Sequence, residues 1–157
     1  MENGASYELA QRLREVLFSG RLVANTNYKD QLEHLDYVTA TAAVQTLNSI
    51  ASIVQHIHYY IVGVKKVFLG GELDISDQFS FDFPPVLSEE QWQQFLKGFF
   101  LDAEEFAITV EMMNSSYLKK IFVKEKYGRN IDNINLMIEH CYYHLGQIVL
   151  LKKMLNG

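Results

Sequence analysis

Apolar residues recur along this chain in alternating steps of three and four over four stretches, the spacing that lines one face of an α-helix. The clearest lies near the end, where Ile131, Ile134, Ile138, Cys141, Leu145 and Ile148 fall in phase; a helix is expected there from about Ile131 to Leu155, with Asn130 as its cap. Ile50, Ile53, Ile57, Ile61, Val64 and Phe68 mark another, opening at Asn48 or Ser49 and running to Leu69, where Gly70-Gly71 stops it. Between the two, Ser88-Glu89-Glu90-Gln91 has the form of a capping box and leads into Trp92, Phe95, Leu96, Phe99, Phe106 and Val110, a helix reaching about Met113. The earliest stretch, from about Ser6 to Phe18, turns Leu9, Leu13, Val16 and Leu17 inward and ends at Ser19-Gly20.

The segments between these helices differ in kind. Residues 21–47 carry the weakest pattern and predict two short helical turns, starting near Tyr28 and Asp36. Residues 71–87 end in Phe81-Asp82-Phe83-Pro84-Pro85, and because the two prolines exclude helix this is an extended crossing loop. Residues 114–129 contain the β-prone Ile121-Phe122-Val123, with a turn at Gly128 before the last helix. Connections of this length are unlike the short turns of an up-and-down bundle, and they permit neighbouring helices to run parallel.

Composition narrows the picture. At 157 residues, 48% of them hydrophobic and only two of them proline, residues 1–157 are expected to form a single all-α domain rather than a disordered chain. The net charge of −5, with Lys65-Lys66, Lys119-Lys120 and Lys152-Lys153 dispersed as solvated surface, excludes the concentrated basic face that a nucleic-acid partner requires. Met1-Glu2-Asn3-Gly4 lacks the basic start of a leader, and no run approaches about 18 apolar residues, so no membrane partner and a cytoplasmic location are expected. The single cysteine, Cys141, falls in the middle of an apolar face, which makes it a small core residue rather than a nucleophile.

The candidate chemistry lies in histidines. His140 and His144 are four apart, so on a helix both imidazoles lie on one face within reach of one ion. Two ligands do not make a site. Advancing about 100° per residue places the pair at the border of its apolar face, and His56 at the matching border of the face that carries Ile53, Ile57 and Tyr60. His58 falls at about 200°, near Lys65 on the polar side, and is expected to be solvated. A lone histidine at such an edge usually satisfies a carbonyl. Three in matching phase make His56, His140 and His144 a candidate metal site for a divalent ion, with zinc or nickel favoured by imidazole ligands. No general base emerges, because Glu104, Glu105, Glu111 and Glu139 read equally well as exposed charges.

These segments resemble the DinB/YfiT-like superfamily of metal-binding four-helix bundles. Ser49-Ile50-Ala51-Ser52-Ile53-Val54-Gln55-His56 is similar to the segment carrying that family's first metal histidine. His140-Cys141-Tyr142-Tyr143-His144-Leu145-Gly146-Gln147-Ile148 is similar to its pattern H-x-x-x-H-x-G-Q-I, and Phe83-Pro84-Pro85 before Ser88-Glu89-Glu90-Gln91-Trp92 resembles its entry to the third helix. The resemblance implies a four-helix bundle with long crossover connections, and a divalent metal on His56, His140 and His144 with an open or water-filled fourth position. Relatives include thiol S-transferases that use bacillithiol and a mycothiol-dependent isomerase. By that likeness the chain is a metal-dependent hydrolase or thiol S-transferase acting on a small molecule, a low-molecular-weight thiol among the candidates, and it forms a homodimer; the alternatives are a non-catalytic metal-binding or homodimeric interaction module, or histidines that bind nothing. In one departure, Leu145 stands where members often have a basic residue, which separates this chain from any role given to a cation there. Gly146 is expected to admit a neighbouring helix, and Gln147, on the histidines' side of the helix, reads equally well as a support behind them or as a solvated glutamine.

Overall fold

The computed structural model of the protein describes residues 4–156; the leader reading on Met1-Glu2-Asn3 lies outside them. Seven α-helices and no strand occur among the described residues: α1 Gly4–Arg14, α2 Tyr28–Leu32, α3 Tyr37–Thr41, α4 Ile50–Phe68, α5 Glu89–Glu111, α6 Ser115–Lys119 and α7 Asn130–Asn156. A π-helical turn, Glu15–Ser19, carries α1 onward to the expected stop at Gly20.

The starts of the helices follow the side chains that precede them. Ser49 Oγ accepts from Ser52 N at 3.1 Å to open α4, and Ser88 Oγ accepts from Gln91 N at 3.2 Å to open α5. Gln91 reaches back to the Leu87 amide, one residue before the cap, so the capping box closes around the entry rather than on Ser88 itself. Asn27 and Asp36 cap the two short helices, where the pattern places the turns of residues 21–47. Asn130 departs from its expected role. It is buried inside the first turn of α7 and its amide donates to the Tyr117 carbonyl at 2.8 Å, while the Asp132 carboxylate takes the Arg129 amide at 2.9 Å. The β-prone Ile121-Phe122-Val123 yields one isolated bridge, Ile121 to Arg129, because no further strand lies beside it to extend a ladder.

Cross-helix pairs fix the directions of three of the four long helices, α1, α4 and α5. His58 and Lys65 both reach Asp102, Lys65 also reaches Glu105, and Phe68 stacks on Phe106 at 5.9 Å, so residue numbers rise together and α4 runs parallel to α5. Arg14 meets Glu104 and Glu111 while Phe18 meets Phe100, which sets α1 antiparallel to α5. Parallel neighbours in sequence need a long connection, and residues 69–88 supply it. This crossover lies along α4, held at Gly63, where a Cβ would collide with the Ile75 side chain. The crossover thereby brings Asp77, Ser80 and Phe81 beside the middle of α4.

Inside the helices Trp92, Tyr28, Phe99 and Phe106 are fully buried. Each polar tip among them is satisfied: Trp92 Nε1 donates to Leu35 O at 2.7 Å and Tyr28 OH to Cys141 O at 2.8 Å. Those two bonds tie the short helices and their flanks to α5 and α7. Leu145 is buried as its phase requires, whereas Gly146 is exposed with open space where a Cβ would be, so it admits no neighbouring helix. No helix among the described residues is long and apolar enough to cross a membrane.

Candidate metal centre

His56 projects from the middle of α4, and His140 and His144 project from successive turns of α7. The helices bring all three together. His140 Nε2 lies 3.1 Å from His56 Nε2 and 2.9 Å from His144 Nε2, and one ligand atom from each histidine fits within 4.8 Å of the others. His56 and His144 are buried and His140 is half-buried.

The far nitrogens decide which atoms face the centre. His56 Nδ1 is 3.0 Å from the Ser80 carbonyl and His144 Nδ1 is 2.6 Å from Gln147 Oε1. Both oxygens can only accept, so both Nδ1 atoms carry hydrogen and both Nε2 atoms present lone pairs. Two close contacts meet at His140 Nε2, and that atom has at most one hydrogen to offer. Neutral imidazoles therefore leave the cluster short of protons, and a cation would complete it. Nitrogens bound to one tetrahedral zinc at about 2.0–2.1 Å lie about 3.3 Å apart; the two separations to His140 are close to that, and the whole donor set lies within 4.8 Å, so a small closure of His56 and His144 would fit it to such an ion.

Electrostatics keep the imidazoles neutral. Burial lowers the pKa of His56 and His144, and it lowers His140, with help from the two neighbouring rings, to about 4. Asp77 pulls in the opposite direction on His56 and His140, and burial prevails. Phe81 stacks on the His56 ring at 4.2 Å between centroids, fixing its plane.

Beside the centre opens a cleft of about 800 Å³ with His140 in its wall. Tyr60 and Asp77 line it, and the Tyr60 hydroxyl donates to Asp77 Oδ1. Burial and that carboxylate push the Tyr60 hydroxyl up to about 12. A second cleft of about 550 Å³, lined by His58, Tyr59 and Phe83 among others, does not touch the three metal-site histidines.

His58 is not solvated as its phase implies. Its Nε2 lies 2.7 Å from Asp102 Oδ2, and Asp102 also accepts from Lys65 at 2.7 Å. Lys65 is likewise not a surface lysine: it is buried and bridges Asp102 and Glu105. The four candidate bases divide accordingly. Glu104 and Glu111 hold Arg14, Glu105 holds Lys65, and Glu139 lines the 800 Å³ cleft. No sequence signal marks Ser80, because it acts through its carbonyl, which every residue type possesses. Cys141 is buried, and burial pushes its thiol up to about 12, consistent with a core role.

No curated protein and no solved structure matches the chain. A family model described as "Protein of unknown function (DUF1572)" matches residues 9–157, and that family falls in the DinB/YfiT-like clan. Nearly the whole chain, with every residue of the histidine centre, is covered by that match, and the protein belongs to the DUF1572 family.

Proposed function

We propose that the protein is a metal-dependent enzyme of DinB-like four-helix-bundle architecture, in which His56, His140 and His144 hold one divalent ion, zinc or nickel, for hydrolysis or thiol transfer on a small molecule. The observation that carries this reading is the pair of fixed Nε2 lone pairs meeting His140 Nε2 at 3.1 and 2.9 Å. Such an ion supplies a lowered pKa to a bound water or thiol and so makes a nucleophile near neutral pH.

The chain's own groups do the rest. The Ser80 carbonyl and Gln147 hold two imidazoles in the ligating tautomer and orientation. His140 connects the donor set to the cleft, where Tyr60 and Asp77 form a hydrogen-bonded pair able to take or give a proton at the Asp77 carboxylate. Among the described residues the cluster contains three histidines and no fourth cysteine, aspartate or glutamate, and it adjoins a roomy cleft; both features favour an enzyme over a closed structural site. The parallel α4–α5 pair and the crossover at residues 69–88 support the crossed bundle. A homodimer in the cytoplasm completes the proposal. Metal analysis of untagged protein, beside a substrate screen spanning esters, amides and low-molecular-weight thiols, tests it: about one zinc or nickel per chain with turnover of at least one class is expected. Metal-free protein that takes up neither ion on dialysis contradicts it.

A further inference from the structure

The wall of the 800 Å³ cleft is chemically one-sided. Its charged residues are Asp77 and Glu139, and no lysine or arginine lines it. Three tyrosines, Tyr60, Tyr127 and Tyr143, share the wall with apolar side chains that include Val64, Leu73, Ile75, Phe122 and Met137. Lys126 lies over the Tyr127 ring, 4.8 Å from its centroid, but is not part of the lining. One oxygen of Asp77 accepts from Tyr60, and neither Asp77 Oδ2 nor the Glu139 carboxylate has a bonded partner among the described residues.

From this lining we infer that the cleft binds a small molecule joining an apolar or aromatic body to a cationic ammonium group, and that in the absence of a metal ion it disfavours anionic ligands. The argument concerns what each ligand would meet. In the metal-free protein an anion entering here faces two carboxylates with no lysine or arginine in the wall to offset them, in a protein of net charge −5. A cation meets those carboxylates, and the tyrosines of the wall supply aromatic rings of the kind that attract ammonium groups through their quadrupoles. The apolar side chains bury the body of the ligand, and the volume falls in the range of small-molecule sites. This inference rests on the metal-enzyme reading for the cleft's purpose, and it names an amine-bearing small molecule as the substrate class of that reading.

The test uses probes that do not bind metals strongly. Trimethyl(2-phenylethyl)ammonium, 2-phenylethanol and 2-phenylethanesulfonate share one body and differ in charge; each is titrated by calorimetry into metal-free protein, where no ion adds its own charge to the cleft, with metal binding measured separately. The cation is expected to bind about tenfold more tightly than the alcohol, with no saturable binding of the sulfonate. The double variant Asp77→Asn, Glu139→Gln should reduce the cation's advantage to less than about twofold while leaving the alcohol's affinity in place. Sulfonate binding as tight as the cation's, no saturable binding of the cation, or an advantage that survives the double variant overturns the inference. A protein that prefers the cation but takes up no zinc or nickel instead sinks the metal reading and leaves the cleft's preference standing.

Discussion

His56 and His58 stand two residues apart on α4 and end in opposite chemistry. His58 faces α5, where its ring meets Asp102, and Lys65 completes the network with Asp102 and Glu105; every charge there has a partner of opposite sign at 2.7 Å. His56 faces α7, where it meets two more imidazoles and no protein charge within bonding distance. The first group is satisfied by the chain alone. The second brings lone pairs together and needs something from outside. A structural polar network and a ligand site thus differ in whether their donors and acceptors balance, and residue type alone does not reveal it.

The sharpest way to break the comparison is to remove a ligand on one side and the matching histidine on the other. His144→Ala should weaken zinc affinity by at least about 100-fold and abolish most of the zinc-induced rise in melting temperature, whereas His58→Ala should leave both nearly unchanged. Equal responses in thermal-shift titrations would refute the division of roles. Next in size is the charged side. Lys65→Ala leaves Asp102 and Glu105 facing each other without their cation, and because Glu105 is half-exposed the cost should be about 2 kcal/mol, or roughly 4–8 °C in melting temperature, with zinc affinity intact. An unchanged melting temperature would show that the network contributes nothing.

The two regions should also separate by pH. In the metal-free protein the three histidines of the centre have folded pKa values below their ordinary 6.5, with His140 near 4. The unfolded chain therefore takes up protons first, so stability is full above about 6.5 and is lost as pH falls from there toward 4. Asp102 is lowered below 3.8, so its contribution is present above that value and is lost only as pH falls further. Urea titrations of metal-free protein at successive pH values should show the first loss, and His140→Ala should flatten it; a profile flat between 7 and 5 contradicts the burial assigned to the rings.

The smallest expected effect concerns support rather than ligation. Gln147→Ala frees His144 Nδ1 and should reduce zinc affinity by about tenfold with little change in the stability of metal-free protein. Affinity equal to wild type would mean that Gln147 does not orient the ring.

Much of this was readable in advance, for reasons of phase. Ser49 and Ser88 mark helix starts because their hydroxyls satisfy amides three residues on, and His56, His140 and His144 stand at matching borders of two apolar faces. What escaped was whatever depended on the face opposite. Lys65 and His58 share a polar stripe that water or an acidic helix could equally have covered, and only the parallel packing of α5 brings Asp102 to them. Asn130 looked like a cap, yet the neighbouring loop supplied a carbonyl that its amide binds instead. The crossover's part in the centre, through the Ser80 carbonyl and the Phe81 ring, has no spacing signal because a loop has no period.

The central claim is that the imidazole cluster is incomplete without a cation. Calorimetric titration of zinc into metal-free protein at neutral pH tests it most directly, run on wild type, His140→Ala and Lys65→Ala. The account predicts one ion per chain for wild type and for Lys65→Ala, and no comparable binding by His140→Ala. Wild-type protein that binds no zinc, or His140→Ala protein that binds it as wild type does, would contradict the account.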